Sequence, residues 1–347
     1  MTARSARLDR SSFGRAHRDE LAVVEAAYAL AGSESDWVTG LAEASAAVLD
    51  EGWGMTATTW TGSRDGISLR AMSTFGGPSG LPDAALEAMQ MSREIQLGLV
   101  RSAPCTTLAL AGGSQLVEHD PGSRGLVQLG IRDAFTVLAM DSTGFVTGIS
   151  AYRPAPTRPS RRTVALWSRI ATHLSAGFRV RRGLSAASSD GAKRLDPFPG
   201  SEAILKPDGK LAHAERAAQQ AHLALARAVV AIDRARTRAA RQDPDVALEA
   251  WRGLVQGRWS LIEHFDSDGQ RFLVARKNDP DAHGPRGLEA RESLVLAYRA
   301  RGFSLKLIAY ELGLSIPSVS RALASGKAKL GISSHEQLVS LFFPAGA

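Results

Sequence analysis

Residues 288–339 carry the clearest helical pattern in the chain, LEARESLVLAYRARGFSLKLIAYELGLSIPSVSRALASGKAKLGISSHEQLV. Apolar residues recur there at helical spacing, and residues that end or cap helices separate the segments. Gly302 ends a first helix, Gly313 provides a turn, and Ser315 is a natural N-cap for a third helix. A fourth helix follows Gly331. The pattern predicts an all-α domain of four short helices over residues 288–347.

Several short motifs fall in one register along this stretch. They are Leu288-x-x-Arg291-Glu292, Gly302, Ile308-Ala309, Leu312-Gly313-x-Ser315, Ser318-Val319 and Lys329-Leu330-Gly331. With these motifs the stretch resembles the LuxR-type helix-turn-helix domain. In a helix-turn-helix the second helix presents its N-terminal residues to base edges in the major groove. The resemblance therefore implies a sequence-specific transcriptional regulator whose partner is double-stranded DNA.

The resemblance also indicates which side chains meet the DNA. It implies a groove face formed by Ser315, Ser318, Ser320 and Arg321, and phosphate contacts from Lys327 and Lys329. Two positions depart from the family pattern: Leu307 replaces the usual acidic residue, and Ser320 replaces the usual lysine. Helix capping explains Ser315 and Ser318 equally well, and solvated surface positions are the alternative for the others.

The charge of the chain is concentrated at its two ends. The formal net charge is +7. Residues 1–18 hold five arginines against one aspartate, and residues 286–347 hold eight basic against four acidic residues. A basic balance favours polyanionic partners, with nucleic acid first. The pattern predicts a basic arm over residues 1–18 and a basic C-terminal domain.

Residues 19–182 resemble a GAF-like α+β sensor domain in the order of their predicted elements. Two helices lead into strands, a helix over about 82–97 follows, and further strands include one at Thr106–Ala111. A helix over residues 160–182 closes the order. Such domains hold small ligands against the sheet. We therefore take Trp60, Phe75 and Phe135 as candidates to line a ligand cavity, with ordinary core packing as the alternative.

A smaller α+β unit is predicted over residues 201–280, between linkers at 183–200 and 281–287. It is interpreted as a PAS-like module or a dimerisation unit. Residues 214–241 consist largely of strong helix formers and predict one long helix, which is a candidate dimer arm. No internal repeat is evident in the sequence. The whole chain is thus expected to be multidomain, with a homodimer as its default assembly.

Enzyme classes find little support in the sequence. It has no nucleophile elbow, phosphate loop, zinc-protease motif or kinase motif set. The single cysteine, Cys105, excludes an intrachain disulfide, and adjacent His119 and Asp120 lack the spacing of a metal site. No cofactor is predicted. Without an apolar leader or a run of about 18 apolar residues, a soluble cytoplasmic protein that does not enter the membrane is expected.

Three functional hypotheses remain from the sequence. The first is a transcriptional regulator gated by a small ligand or a partner through residues 19–182. The second is a sigma-factor-like protein that binds RNA polymerase, which the strand-rich segments upstream of the C-terminal helices disfavour. The third is a protein-interaction regulator whose helix-turn-helix no longer reads DNA, with Leu307 and Ser320 as signs of drift.

Overall fold

The computed structural model describes residues 19–63, 66–102, 104–140, 145–189, 201–251, 254–255, 259–265, 268–277, 288, 290–300, 304–312, 314–330, 332–335 and 337–338. The predicted arm at 1–18, the linker at 281–287 and most of the linker at 183–200 lie outside them. Among the described residues, no helix combines the length and apolarity needed to cross a membrane.

The described residues form ten strands and fifteen helices. The strands are β1 (Met55–Ser63), β2 (Gly66–Phe75), β3 (Cys105–Thr107), β4 (Asp133–Met140), β5 (Phe145–Arg153), β6 (Ser201–Leu205), β7 (Leu211–Ala214), β8 (Leu254–Val255), β9 (Trp259–Phe265) and β10 (Arg271–Lys277). The helices are α1 (Glu20–Ala27), α2 (Glu34–Leu49), α3 (Leu81–Ala88), α4 (Arg93–Arg101), α5 (Leu108–Gly112), α6 (Ser114–His119), α7 (Arg124–Gln128), α8 (Arg161–Ser189), α9 (Arg216–Gln220), α10 (His222–Ala235), α11 (Arg238–Arg241), α12 (Pro244–Ala250), α13 (Ala290–Ala300), α14 (Leu305–Leu312) and α15 (Ile316–Leu330).

The first unit, residues 19–189, is built on an antiparallel sheet with the strand order β2-β1-β5-β4-β3. Side chains alternate between the two faces of a strand, so each face has its own core. Phe135 and Ala151 pack in the cluster that includes residues of α1, α2 and α8. Their neighbours Ala134 and Tyr152 pack in a second cluster with residues of α3, α4 and α7. Helices therefore cover both faces of this sheet.

The second unit, residues 201–277, repeats that topology. Its antiparallel sheet has the order β7-β6-β10-β9-β8. In each unit the second strand is followed by the first, fifth, fourth and third, and helices lie between the second and third strands. The expectation that the chain has no internal repeat holds for its sequence, whereas the two units share one fold topology.

The two units share a continuous hydrophobic core. One cluster contains Trp167 of α8 together with Leu225 of α10 and Leu273 of β10. At the same junction the ring of Tyr28 stacks on that of Trp251, with 6.2 Å between their centroids. A core that crosses the junction indicates that residues 19–189 and 201–277 are stabilised together.

Ion pairs between the two units also stabilise this junction. Arg241 of α11 pairs with Asp19 and with Glu25 of α1. Arg169 of α8 pairs with Asp245 of α12. These pairs are partly buried, so solvent screens them less than it screens exposed pairs.

Three predictions about elements were wrong in the first unit. The helix expected at 82–97 is two helices, α3 and α4. The strand expected at 106–111 ends at Thr107, whose hydroxyl caps α5 by accepting a hydrogen bond from the Leu110 amide. The closing helix α8 continues to Ser189, into the segment predicted as a linker, so the domain boundary at 182 cuts through it.

The prediction of one long helix over residues 214–241 was also wrong. The segment forms β7's last residue and then the separate helices α9, α10 and α11. Leu225, Val229 and Ile232 of α10 are buried in the shared core. The apolar face of α10, within the segment taken as a candidate dimer arm, is therefore covered by other residues of the same chain.

The C-terminal domain has cores of its own. Val295 of α13, Ile308 and Ala309 of α14, and Val319 of α15 are buried together. A neighbouring cluster joins Leu296 and Ala300 of α13 to Leu338. The three described helices and the buried Leu338 agree with the predicted all-α domain, while Phe342, expected in its fourth helix, lies outside the described residues.

Candidate nucleic-acid interface

Helix α15 begins at a polar cap. The Ser315 hydroxyl accepts a hydrogen bond from the Ser318 amide at 3.3 Å, and the two hydroxyls lie 2.9 Å apart. This satisfies one of the amides that a helix N-terminus leaves unpaired, and Pro317 suits the first turn, where no amide donor is needed. Ser315 is exposed and Ser318 is half-buried. Capping thus gives both serines a structural role at the start of the helix.

One face of α15 is committed to the domain core. Val319, Ala322 and Gly326 are buried on it. A methyl group added at Gly326 would lie 2.8 Å from the Leu296 side chain of α13, so the two helices approach closely there. This packing fixes which side of α15 remains outside.

The opposite face of α15 is open to solvent. The exposed residues of the helix are Ile316, Pro317, Ser320, Arg321, Ala324, Ser325, Ala328 and Lys329. Ser320 and Arg321 thus lie where the sequence placed them, outward and within the first half of the helix. Residues 316–330 contain no Asp or Glu, so the charge of the helix is positive throughout. An outward, basic helix face beginning at an N-cap has the geometry required to enter a major groove.

The two lysines predicted to bind phosphate make contacts within the domain. The Lys329 ammonium lies 2.7 and 2.9 Å from the two carboxylate oxygens of Glu292. The Glu292 side chain is only 6% exposed and also accepts a hydrogen bond from the Ser325 hydroxyl at 2.6 Å. The Lys327 ammonium donates to the Ser333 carbonyl at 2.8 Å. Both ammonium groups therefore hold α15 to neighbouring segments.

The structure does not bring the three candidate ligand-binding aromatics together. Phe135 is buried edge-to-face against Trp167 of α8, with ring centroids 6.3 Å apart. Trp60 packs in a separate cluster with Leu138 and Val146. Phe75 is 44% exposed. Strand alternation explains the separation, because Phe135 and Leu138 project from opposite faces of β4. The expectation that Trp60, Phe75 and Phe135 line one cavity was wrong.

Cys105 and His119 have local structural partners. The Cys105 thiol is buried, accepts a hydrogen bond from the Ser168 hydroxyl, and burial raises its pKa to about 12. The His119 ring contacts the Gln115 carbonyl at 2.8 Å, one turn earlier. In the part of the chain that the structure describes, no group of three or more His, Cys, Asp and Glu side chains is arranged to hold a metal ion.

A cleft at the junction of the two sheet units was not foreseen from the sequence. It has a volume of about 510 Å³ and is lined by Glu25, Ala26, Tyr28, Ala29, Arg236, Glu263, Phe265 and Arg271. The Arg236 guanidinium forms a bidentate ion pair with the Glu263 carboxylate, with N–O distances of 2.6 and 3.1 Å. Burial opposes ionisation of Glu263, but Arg236 and Arg271 outweigh it and lower the pKa of that carboxyl. The residues that meet here are far apart in sequence, so no local motif signals the cleft.

Comparison with known families identifies the C-terminal segment. Residues 287–342 match the family model described as bacterial regulatory proteins, luxR family. No curated protein matches the chain. The match covers the register of motifs from Leu288 to Gly331 and the helices α13 to α15. Residues 287–342 of this chain are therefore similar to the luxR family of bacterial regulatory proteins.

Proposed function

We propose that this protein is a sequence-specific transcriptional regulator in which α15 reads the major groove of double-stranded DNA. The observation that carries the proposal is the outward face of α15, with exposed Ser320 and Arg321, in a segment that matches the luxR family. Arginine forms paired hydrogen bonds with guanine, and the serine hydroxyl serves as donor or acceptor. Ser315 and Ser318 position the N-terminus of this helix through their capping contacts.

We further propose that Lys327 and Lys329 act mainly as internal braces of this domain. Both ammonium groups have partners in the domain, and Lys329 neutralises a buried carboxylate. Exposed cations remain for phosphate contacts, including Lys306 at the start of α14 and Arg291 at the start of α13. This division of roles keeps the base-reading side chains separate from the charges that stabilise the fold.

A selection experiment tests the proposal. The full chain is used to enrich duplexes from a random pool, and affinity for the enriched duplex is compared between the natural protein and Arg321→Ala. We expect specific binding to weaken by about tenfold, within the roughly 1–3 kcal/mol that a good base contact contributes. Arg291→Ala removes the same charge from an exposed site beside Glu292, and we expect it to keep the sequence preference.

Two outcomes would count against the proposal. If no duplex is enriched, the protein-interaction alternative gains support. If Arg321→Ala and Arg291→Ala weaken binding equally, without loss of preference, Arg321 is only a phosphate contact. Co-purification with RNA polymerase core would instead support the sigma-factor-like alternative.

We propose that the upstream units control DNA binding by the C-terminal helices α13 to α15, which we call the reader. Residues 19–189 would be a GAF-like sensor unit and residues 201–277 a related α+β unit. Support comes from the five-stranded sheets with their covering helices and from the junction cleft, whose volume of about 510 Å³ suits a small ligand. Mass spectrometry of small molecules retained through native purification tests this. We expect a molecule bound in stoichiometric amount whose retention falls in Arg236→Ala, and a full complement retained by that variant would contradict the cleft as its site.

We propose a homodimer as the DNA-bound form. Helix-turn-helix dimers bind two half-sites about one helical turn apart, so the enriched duplex should contain two inverted copies of one sequence. A single half-site bound by one chain would contradict this part of the proposal.

A further inference from the structure

Ile316 is an exposed aliphatic side chain at the first turn of α15. It is 47% exposed, and among the residues of 288–338 whose side chains the structure describes it is the sole exposed large apolar one. The other large apolar residues described there belong, wholly or partly buried, to the two clusters of the domain. An aliphatic side chain held in water at the entrance of a DNA-facing helix gains by contact with an apolar surface.

The position of Ile316 relative to Ser320 and Arg321 defines the surface it belongs to. Ser320 lies one helical turn after Ile316, and Ala324 lies one turn after Ser320, so the three share a line along the exposed face. Arg321 flanks this line. The surface therefore combines an apolar side chain, a hydroxyl and a guanidinium group within two turns.

The charges of α15 indicate what meets this surface. The helix has no acidic residue and carries Arg321, Lys327 and Lys329. An apolar protein partner needs no such cation beside it, whereas DNA offers an apolar group among its hydrogen-bonding edges. That group is the thymine 5-methyl, which projects into the major groove and is read by apolar side chains.

We propose that Ile316 contacts the 5-methyl group of a thymine in the recognised sequence and so determines part of its specificity. This inference rests on the proposed function and adds the identity of one base. Ile316 occupies the N-terminal turn, where helix-turn-helix readers approach base edges. It thereby adds an apolar contact beside the hydroxyl of Ser320 and the guanidinium group of Arg321.

Replacement of single thymines by deoxyuridine tests the contact, because it removes only the methyl group. Each thymine of the enriched duplex is replaced in turn, and affinity is measured with the full chain. We expect one replacement to weaken binding of the natural protein by about fourfold, which corresponds to about 0.8 kcal/mol for one methyl-sized group. Ile316→Ala should bind both duplexes equally, and Ile316→Val should retain part of the difference.

Leu110→Ala is the matched control, since Leu110 is 49% exposed but lies in α5 of the first unit. It should keep the full fourfold difference. Insensitivity of the natural protein at every thymine would overturn the inference, as would an undiminished difference in Ile316→Ala. Both results leave DNA binding itself intact, whereas failure to enrich any duplex would overturn the proposed function and the thymine contact with it.

Discussion

Glu292 and Lys329 form the polar contact that most clearly separates a structural residue from a DNA-binding one. Lys329→Ala would remove the cation that neutralises the Glu292 carboxylate, which is 6% exposed and also accepts a hydrogen bond from Ser325. Because a buried carboxylate that loses its cation is destabilising, and Lys329 is itself 34% exposed, we expect a loss of about 2 kcal/mol in the stability of α15. Hydrogen exchange of α15 amides in the full chain measures this loss.

The same variant tests the phosphate-contact interpretation of Lys329. If Lys329 contacts phosphate, its replacement by alanine would lower the salt dependence of DNA binding by about one counterion. The protection of the α15 amides would then stay unchanged. Lys306→Ala, at an exposed position of α14, is the comparison that should leave the protection of α15 unchanged. If Lys329→Ala leaves the hydrogen-exchange protection of α15 unchanged and reduces the salt dependence of DNA binding, Lys329 does not stabilise α15 through Glu292.

His173 makes the stability of the chain depend on pH. Its Nδ1 lies 3.1 Å from the Tyr28 hydroxyl, and burial together with nearby Arg169 lowers its pKa to about 4. The unfolded chain takes up this proton near pH 6.5, so stability falls as the pH drops from there towards about 4. Between pH 7.5 and 5 we expect a loss of about 2 kcal/mol from this residue, measured by urea unfolding.

His173→Gln should remove that part of the pH dependence. His222→Gln is the control, because His222 is exposed on α10 and its ring contacts the Gln219 carbonyl one turn earlier. If the free energy of unfolding changes with pH in the same way in His173→Gln and in the natural protein, the neutral His173 is not the cause of that change.

Local signals in the sequence predicted the helices of the C-terminal domain well and its internal contacts poorly. Ser315, Ser320 and Arg321 could be placed because capping and helical periodicity depend on residues within one or two turns. The partner of Lys329 lies 37 residues away on α13, so the pair depends on how two helices pack. No sequence pattern reports that geometry.

At the scale of elements, α1 and α8 cross in close contact within the first unit. A methyl group added at Gly177 of α8 would lie 2.1 Å from the backbone carbonyl of Ala27, so one helix would have to move. We expect Gly177→Ala to destabilise the chain by about 2 kcal/mol. The thermal midpoint of unfolding measures the change.

Gly40→Ala is the matched control, since Gly40 lies within α2 and a methyl group there meets nothing within 4 Å. It should raise stability by up to about 1 kcal/mol, because alanine is the better helix former. Equal effects of the two variants would show that helix propensity, and not the α1–α8 crossing, governs both.

Helix ends explain where predictions of elements failed. Helix α10 is preceded by Ala221, which interrupts the backbone pattern without the Gly or Pro that usually marks a break. After it, the Thr237 hydroxyl caps α11 by accepting a hydrogen bond from the Ala240 amide. Conversely, Gly183 lies inside α8, where the sequence suggested an end. Tertiary packing overrides intrinsic propensity at Ala221 and Gly183, whereas the cap at Thr237 is a local contact.

At the scale of the whole molecule, the described residues pack in two separate sets of hydrophobic cores. The sheet units at 19–189 and 201–277 share one core, while α13, α14 and α15 have separate clusters. The common strand order of the two units could not be predicted, because strand pairing is long-range and their sequences show no evident repeat. The gating that we propose requires one joint upstream body and a separate C-terminal domain.

The most direct test of this account is the salt dependence of binding by the full chain to its enriched duplex and to a scrambled duplex. The account predicts that log affinity falls linearly with log salt for both, as expected when cations replace counterions on phosphates. It also predicts a preference of at least about tenfold for the enriched duplex, which Arg321→Ala abolishes. Affinity that does not change with salt, or a preference that Arg321→Ala leaves intact, would contradict α15 as the DNA reader.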